Sequence, residues 1–88
     1  MAERVNQHKN PIVGKNIRHL RKEHKMKSID VIAKLQLKGL NVNVGTYSKV
    51  ENGYNNPSVD LLIALTDILE CDFNAFFEHW KIFTIKRD

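Results

Sequence analysis

The sequence lacks the features that mark membrane-spanning and disulfide-stabilised proteins. Its 88 residues include a single cysteine, Cys71, which cannot form an internal disulfide. No apolar run approaches the 18 or so residues that a membrane span requires. The first eleven residues are polar and contain no hydrophobic core of a signal peptide. We therefore expect a cytoplasmic protein that does not associate with a membrane.

The residue patterns of metal sites and active sites are also missing. Zinc ligands recur at short, regular spacings, which the available candidates do not show. These candidates are His8, His19, His24, His79 and Cys71. No serine or cysteine stands in a motif that would supply it with a catalytic base. The four glycines are scattered and are interpreted as caps or turns, not as a phosphate-binding loop. The sequence predicts no enzyme activity, no metal and no cofactor.

The charge distribution is the first positive indication. The net charge is +4, but residues 1–50 carry eleven Lys/Arg against three acids, whereas residues 51–88 carry three against seven. A small domain with one basic end is suited to a polyanionic partner such as nucleic acid. A solvated helical surface would give the same composition, so charge alone does not decide between the two interpretations.

Turn signals divide the chain into five short helices. Helix 1 is predicted over about residues 11–24, where Val13, Ile17 and Leu20 form one apolar stripe. Helix 2 runs from 28 to a stop at Gly39, helix 3 covers 44–51, helix 4 follows residue 58, and helix 5 covers about 73–80. Each helix follows a residue type that favours N-caps. These residues are Asn10, Ser28, Asn43, Ser58 and Asp72. Residues 1–10 are predicted to be a flexible arm, 11–80 the domain, and 81–88 a tail.

Five segments in a fixed order are similar to one known family. They read VGKNIRHLRKEH, MKSIDVIAKL, TYSKVENG, NPSVDLLIALTDIL and DFNAFF. This series resembles the Cro/C1-type (XRE) helix-turn-helix family of DNA-binding regulators over about three quarters of the chain. The resemblance implies an all-α, five-helix, lambda-repressor-like domain with the helix-turn-helix at helices 2 and 3. It also implies a bacterial or phage-encoded protein that is associated with the nucleoid when bound to double-stranded DNA.

The resemblance assigns roles to individual residues. Helix 3 would enter the major groove, where base edges are distinguishable. Its base-reading residues would be Asn43, Val44, Gly45, Thr46, Ser48 and Lys49. Phosphate contacts would come from Lys27, Ser28, Asn52, Tyr54, Asn55 and Asn56. Arg21 and Glu51 would form a bridge that holds helix 3, with Tyr47 packed inward beside them. Several of these residues also have plain structural roles as caps or turn formers.

The sequence departs from the family pattern in several places, among them Ser28, which replaces a longer amide side chain often used to bind phosphate. The connection over residues 36–42 is longer than the usual tight turn, which leaves the tilt of helix 3 open. Ile32 stands where the family often has a small alanine, and a shift of one residue would place Ala33 there instead. Glu70 stands where a glycine often ends helix 4.

The apolar C-terminal segment predicts a homodimer. It has more large apolar residues than a short terminal helix needs to bury. The predicted interface residues are Phe73, Phe76, Phe77, Trp80 and Phe83. Folding of the same residues onto the core of one monomer remains the alternative.

The predicted function is that of a small repressor that binds a palindromic operator as a dimer. One alternative is the antitoxin of a toxin–antitoxin pair, with the C-terminal segment binding a protein partner. The other is a protein-interaction module that keeps the fold without DNA binding.

Overall fold

The described part of the chain folds into four α-helices followed by a short 3₁₀ helix. The structure is a computed structural model and describes residue 4 and residues 11–78. The elements are α1 (Ile12–Glu23), α2 (Ser28–Leu37), α3 (Val44–Glu51), α4 (Val59–Ile68) and the 3₁₀ helix (Phe73–Phe77). No strand occurs within these residues. The all-helical class is confirmed, but the predicted fifth helix is a 3₁₀ helix, and it ends at Phe77 because the chain is extended at Glu78.

The core lies where the apolar stripes of the helices meet. Val13, Ile17 and Leu20 of α1 are buried as the stripe predicts. The wide apolar face of α4 buries Leu61, Leu62, Ala64, Leu65 and Ile68. Met26 and Cys71 pack against this core from its edge, and burial raises the pKa of the Cys71 thiol.

Three of the predicted N-caps are present. The side-chain oxygens of Asn43, Ser58 and Asp72 accept hydrogen bonds from backbone N–H groups three residues on, at 2.7, 3.1 and 3.0 Å. The prediction for Ser28 is wrong. Lys27 is the N-cap of α2, and its backbone N–H donates to the Asp30 carboxylate at 2.8 Å. This places Ser28 one residue inside the helix. At α1 the N-cap is Pro11, and Asn10 lies outside the described residues.

Two residues after the last residue of each α-helix, the chain has a residue in the left-handed conformation. The four residues and their φ angles are Lys25 (56°), Gly39 (88°), Gly53 (85°) and Glu70 (52°). The residue after each one donates its N–H back into the last turn, as in the bond of 3.0 Å from Leu40 N to Leu35 O. Gly39 and Gly53 adopt this conformation without strain, whereas Lys25 and Glu70 carry a Cβ that disfavours it.

Gly14 is neither a cap nor a turn, so the interpretation of the glycines is wrong at this position. It lies inside α1, where the helix crosses the C-terminal end of α3. A Cβ atom built on Gly14 would lie 2.2 Å from Val50 O and 2.7 Å from Glu51 O. Only glycine allows the two backbones to approach this closely.

The 3₁₀ helix is held on α1 by a buried amide. Asn16 is buried, and its Nδ2 donates to Phe76 O and to Glu78 O, both at 2.8 Å. Both protons of the amide are thus used, so its burial is compensated. Phe76 itself is fully buried in the core.

Two further predictions can be compared with the structure. Ile32 is buried and Ala33 is exposed, so the one-residue shift that would place Ala33 in the core is wrong. In the predicted flexible arm, Arg4 is fixed against the chain between α3 and α4: it forms an isolated antiparallel bridge with Ser58.

Candidate nucleic-acid interface

Helix α3 has one face in the core and one face in solvent. Tyr47, Val50 and Glu51 are the buried residues of this helix. The opposite side exposes five residues of the predicted base-reading set: Val44, Gly45, Thr46, Ser48 and Lys49. At 100° per residue, Gly45 falls between Ser48 and Lys49, near the middle of the exposed face. The cap Asn43 is also exposed, so all six predicted residues lie at one surface.

The exposed face of α3 carries few long polar side chains. Val44 is 54% exposed, and Lys49 is the single charged residue among the six. The Oδ1 atom of Asn43 already accepts from Thr46 N, so only its Nδ2 group is left to donate to a ligand. A Cβ atom on Gly45 would have only the Asn43 side chain within 4 Å, at 3.5 Å. Glycine is therefore not required here by packing within the chain.

A pair of opposite charges joins α1 to the end of α3. Arg21 Nε donates to Glu51 Oε2 at 2.7 Å, and Arg21 Nη2 donates to Glu51 Oε1 at 3.0 Å. The two side chains are only 11% and 4% exposed. Arg21 Nη1 also donates to Met26 O at 3.0 Å, which ties the connection between α1 and α2 to the same guanidinium. This bidentate geometry is the bridge that the resemblance implies, and it fixes α3 against α1.

The electrostatics of this pair follow from its burial. Burial works to raise the pKa of the Glu51 carboxyl, but the hydrogen bond and the positive charge of Arg21 outweigh it and hold that pKa below the ordinary value. The hydrogen bond to Glu51 likewise raises the pKa of Arg21. Burial also raises the pKa of Tyr47 above its ordinary range, and the neighbouring Glu51 carboxylate raises it further. All three groups therefore keep their usual charge at neutral pH.

The predicted phosphate-binding residues lie at the two ends of the segment formed by α2, its connection and α3. Lys27 and Ser28 lie at the N-terminus of α2, where the free N–H groups favour anions. The others lie in the loop between α3 and α4, defined here as residues 52–58. Tyr54 is 74% exposed there. The N–H groups of Tyr54 and Asn55 both donate to Lys49 O, at 2.8 and 3.1 Å.

Arg18 is a residue of this surface that the sequence analysis missed. Its Nη2 donates to Asn52 Oδ1, and its Nε lies 3.5 Å from Glu51 Oε1. Asn52 Nδ2 in turn donates to Ser48 Oγ at 3.4 Å. A signal was present in the sequence, since Gly14, Arg18 and Arg21 are spaced by four and three residues and share one face of a helix.

The predicted dimer residues are not equivalent in the structure. Phe76 has no exposed surface, so it is a core residue of the monomer and is not available to a partner. Phe73 and Phe77 are each 39% exposed, and their ring centroids lie 5.7 Å apart. Trp80 and Phe83 lie outside the described residues.

The arrangement of α2, its connection and α3 defines a helix-turn-helix motif. A helix-turn-helix family model matches residues 17–76, about two thirds of the chain. The chain belongs to this family, the Cro/C1-type (XRE) helix-turn-helix proteins, which are DNA-binding regulators. Comparisons with curated proteins and with solved structures give no match.

Two negative findings apply to the part of the chain that the structure describes. No helix there is both long and apolar enough to cross a membrane. Residues 4 and 11–78 also contain no group of three His, Cys, Asp or Glu side chains that could hold a metal ion.

Proposed function

We propose that the protein binds double-stranded DNA in a sequence-specific manner and represses transcription as a homodimer on a palindromic operator in the cytoplasm. The observation that carries the proposal is the two-sided character of α3. Its exposed face presents the six predicted base-reading residues, while the Arg21–Glu51 pair fixes its other face to α1. A recognition helix needs both properties, because base contacts require an outward face that is rigidly placed.

Base recognition is assigned mainly to Lys49 and Val44. Lys49 can donate to O6 and N7 of guanine, and the Val44 side chain can pack on the methyl group of thymine. Gly45, near the middle of the exposed face, lets the backbone of α3 approach the base pairs closely. Asn43, Thr46 and Ser48 add hydrogen-bonding groups at the ends of the same contact.

Contacts to the phosphate backbone of the DNA are assigned to residues at the two ends of the helix-turn-helix motif. Lys27 and Ser28 at the start of α2 offer a charge and free backbone N–H groups. Asn52, Tyr54, Asn55 and Asn56 offer side-chain donors after α3. Contacts of this kind set the position of the protein on the duplex and carry no sequence information themselves.

A dimer would give the specificity that one small module lacks. Phe73 and Phe77 form an exposed aromatic pair next to the end of the described chain. If the dimer forms through this pair, two copies of α3 would read half-sites one turn of DNA apart. The sedimentation mass at micromolar concentration tests this step, and a mass of one chain with and without DNA would reject it.

The test of the proposed function is selection followed by measurement. The protein is mixed with a pool of genomic DNA fragments, the bound fraction is sequenced, and affinity for the enriched site is measured by fluorescence anisotropy over a salt series. We expect a palindromic site, with affinity that falls steeply as salt rises. Failure to bind any fragment at low salt would reject the proposal.

Lys49→Ala refines the same experiment. We expect it to lose roughly 1–3 kcal/mol at the selected site and to relax the preference at one base pair. Lys22→Ala removes the same charge from the exposed side of α1 and is the matched control. An equal loss on selected and random DNA would reassign Lys49 to a phosphate contact.

A protein-interaction module is the second candidate function. The weakly polar face of α3 favours it, together with the exposure of Ile29 and Tyr54 nearby. An antitoxin would combine both activities, with Phe73 and Phe77 in contact with its toxin. Retention of a partner on the immobilised protein, lost in a Phe73→Ser/Phe77→Ser variant, would support this candidate if DNA selection fails.

A further inference from the structure

Arg4 contacts the loop between α3 and α4, although it precedes Asn56 of that loop by 52 residues. Its Nη1 donates to the backbone carbonyl oxygen of Asn56 at 2.8 Å. Residue 4 also forms the isolated antiparallel bridge with Ser58. Side chain and backbone of one residue thus both contact the same three-residue stretch.

This contact adds a further anchor between the bonds that hold the two ends of the loop. At the α3 side, Tyr54 N and Asn55 N are bound to Lys49 O. At the α4 side, Ser58 Oγ accepts from Leu61 N at 3.1 Å and Pro57 is buried. The Asn56 carbonyl lies between these two anchors and is held by Arg4.

We propose that Arg4 is a positioning residue for DNA binding, which fixes the loop so that Asn55 and Asn56 are preorganised for the phosphate backbone. The inference rests on the proposed function. A charged donor bound to a carbonyl makes a stronger hydrogen bond than a neutral one. The benefit to binding comes from loop order that is already present before DNA arrives.

The salt dependence of binding distinguishes positioning from direct contact. A residue that neutralises a phosphate contributes about 0.9 to the slope of log affinity against log salt. A positioning residue changes the affinity and leaves this slope unchanged. The order of the loop is measured separately in the free protein, from the hydrogen exchange rates of the Asn55 and Asn56 amides by NMR.

The experiment compares Arg4→Ala and Arg4→Lys with the full-length wild type on the selected duplex. We expect Arg4→Ala to weaken binding by about three- to tenfold, with an unchanged salt slope and faster exchange at Asn55 and Asn56. Arg4→Lys keeps the positive charge at residue 4. We expect the DNA affinity of this variant to vary with the protection of its Asn55 and Asn56 amides and not with that charge. Lys22→Ala is again the control that removes one positive charge, and it should leave amide exchange in the loop unchanged.

Three results would overturn the inference. They are unchanged affinity in Arg4→Ala, unchanged exchange in the loop, or a slope reduced by about 0.9, which would make Arg4 itself a phosphate ligand. If the wild type binds no duplex at low salt, the proposed function fails and this inference fails with it. If the wild type binds and Arg4→Ala has the same affinity or the same exchange rates in the loop, the proposed function stands and this inference fails alone.

Discussion

The same substitution should have opposite effects at two glycines of this protein. In Gly14→Ala the new Cβ would lie 2.2 Å from Val50 O, whereas carbon–oxygen contacts normally lie at about 3.3–3.6 Å. Helices α1 and α3 must therefore separate by roughly 1 Å. Overpacking of this kind costs about 1–3 kcal/mol or more. The gain in helix propensity on replacing glycine by alanine returns at most about 1 kcal/mol.

Gly45→Ala is the matched comparison. It lies in the first turn of α3, and the added Cβ meets open space except for the Asn43 side chain at 3.5 Å. It should stabilise the fold by up to about 1 kcal/mol. Because 1 kcal/mol shifts the Tm of a domain of this size by about 4–8 °C, thermal unfolding followed by circular dichroism separates the two variants clearly. A Tm that rises as much in Gly14→Ala as in Gly45→Ala would refute the close approach of α1 and α3.

The remaining predictions concern the buried pair and the helix ends. Glu51→Gln should cost about 3 kcal/mol in urea unfolding at pH 7, because it leaves Arg21 buried without its counter-charge; a loss below about 1 kcal/mol would mean that the pair is solvated. Since the pKa of Glu51 is lowered by folding, its contribution is complete above the ordinary carboxyl pKa of 4.5 and is lost as the pH falls through the lower, folded value. The difference in unfolding free energy between wild type and Glu51→Gln should thus shrink below pH 4.5, and a constant difference would contradict this. Glu70→Gly should raise stability by about 0.5–1 kcal/mol by removing a left-handed residue with a Cβ, which the Tm will show.

Local signals in the sequence were enough to predict most helix boundaries. Asn43, Ser58 and Asp72 cap the helices they were expected to cap, because an N-cap depends on the next three residues alone. Ser28 was mispredicted because the lysine side chain has no acceptor that would mark Lys27 as an N-cap. The helix nevertheless begins one residue earlier than Ser28 suggests, with Lys27 N bound to the Asp30 carboxylate.

Contacts between distant segments were beyond prediction from the residues alone. Gly14 looks like any weak helix residue until α3 is placed against it, and Asn16 shows no pattern that indicates its bonds to Phe76 and Glu78. The Arg21–Glu51 bridge was predicted through the family resemblance, since thirty residues separate the two side chains. Phe76 was assigned to a dimer because composition cannot distinguish surplus apolar surface from core.

The crossing of α1 and α3 at Gly14 sets the orientation of α3 largely independently of the connection that precedes it. Close backbone approach, the Arg21 fork and the bond from Arg18 to Asn52 all attach α3 to α1, which lies before α2 in the chain. The longer connection between α2 and α3 therefore does not have to determine the orientation of α3. Adding residues to that connection or removing them should therefore leave the direction of the outward face of α3 unchanged, whereas a side chain at the crossing should change it.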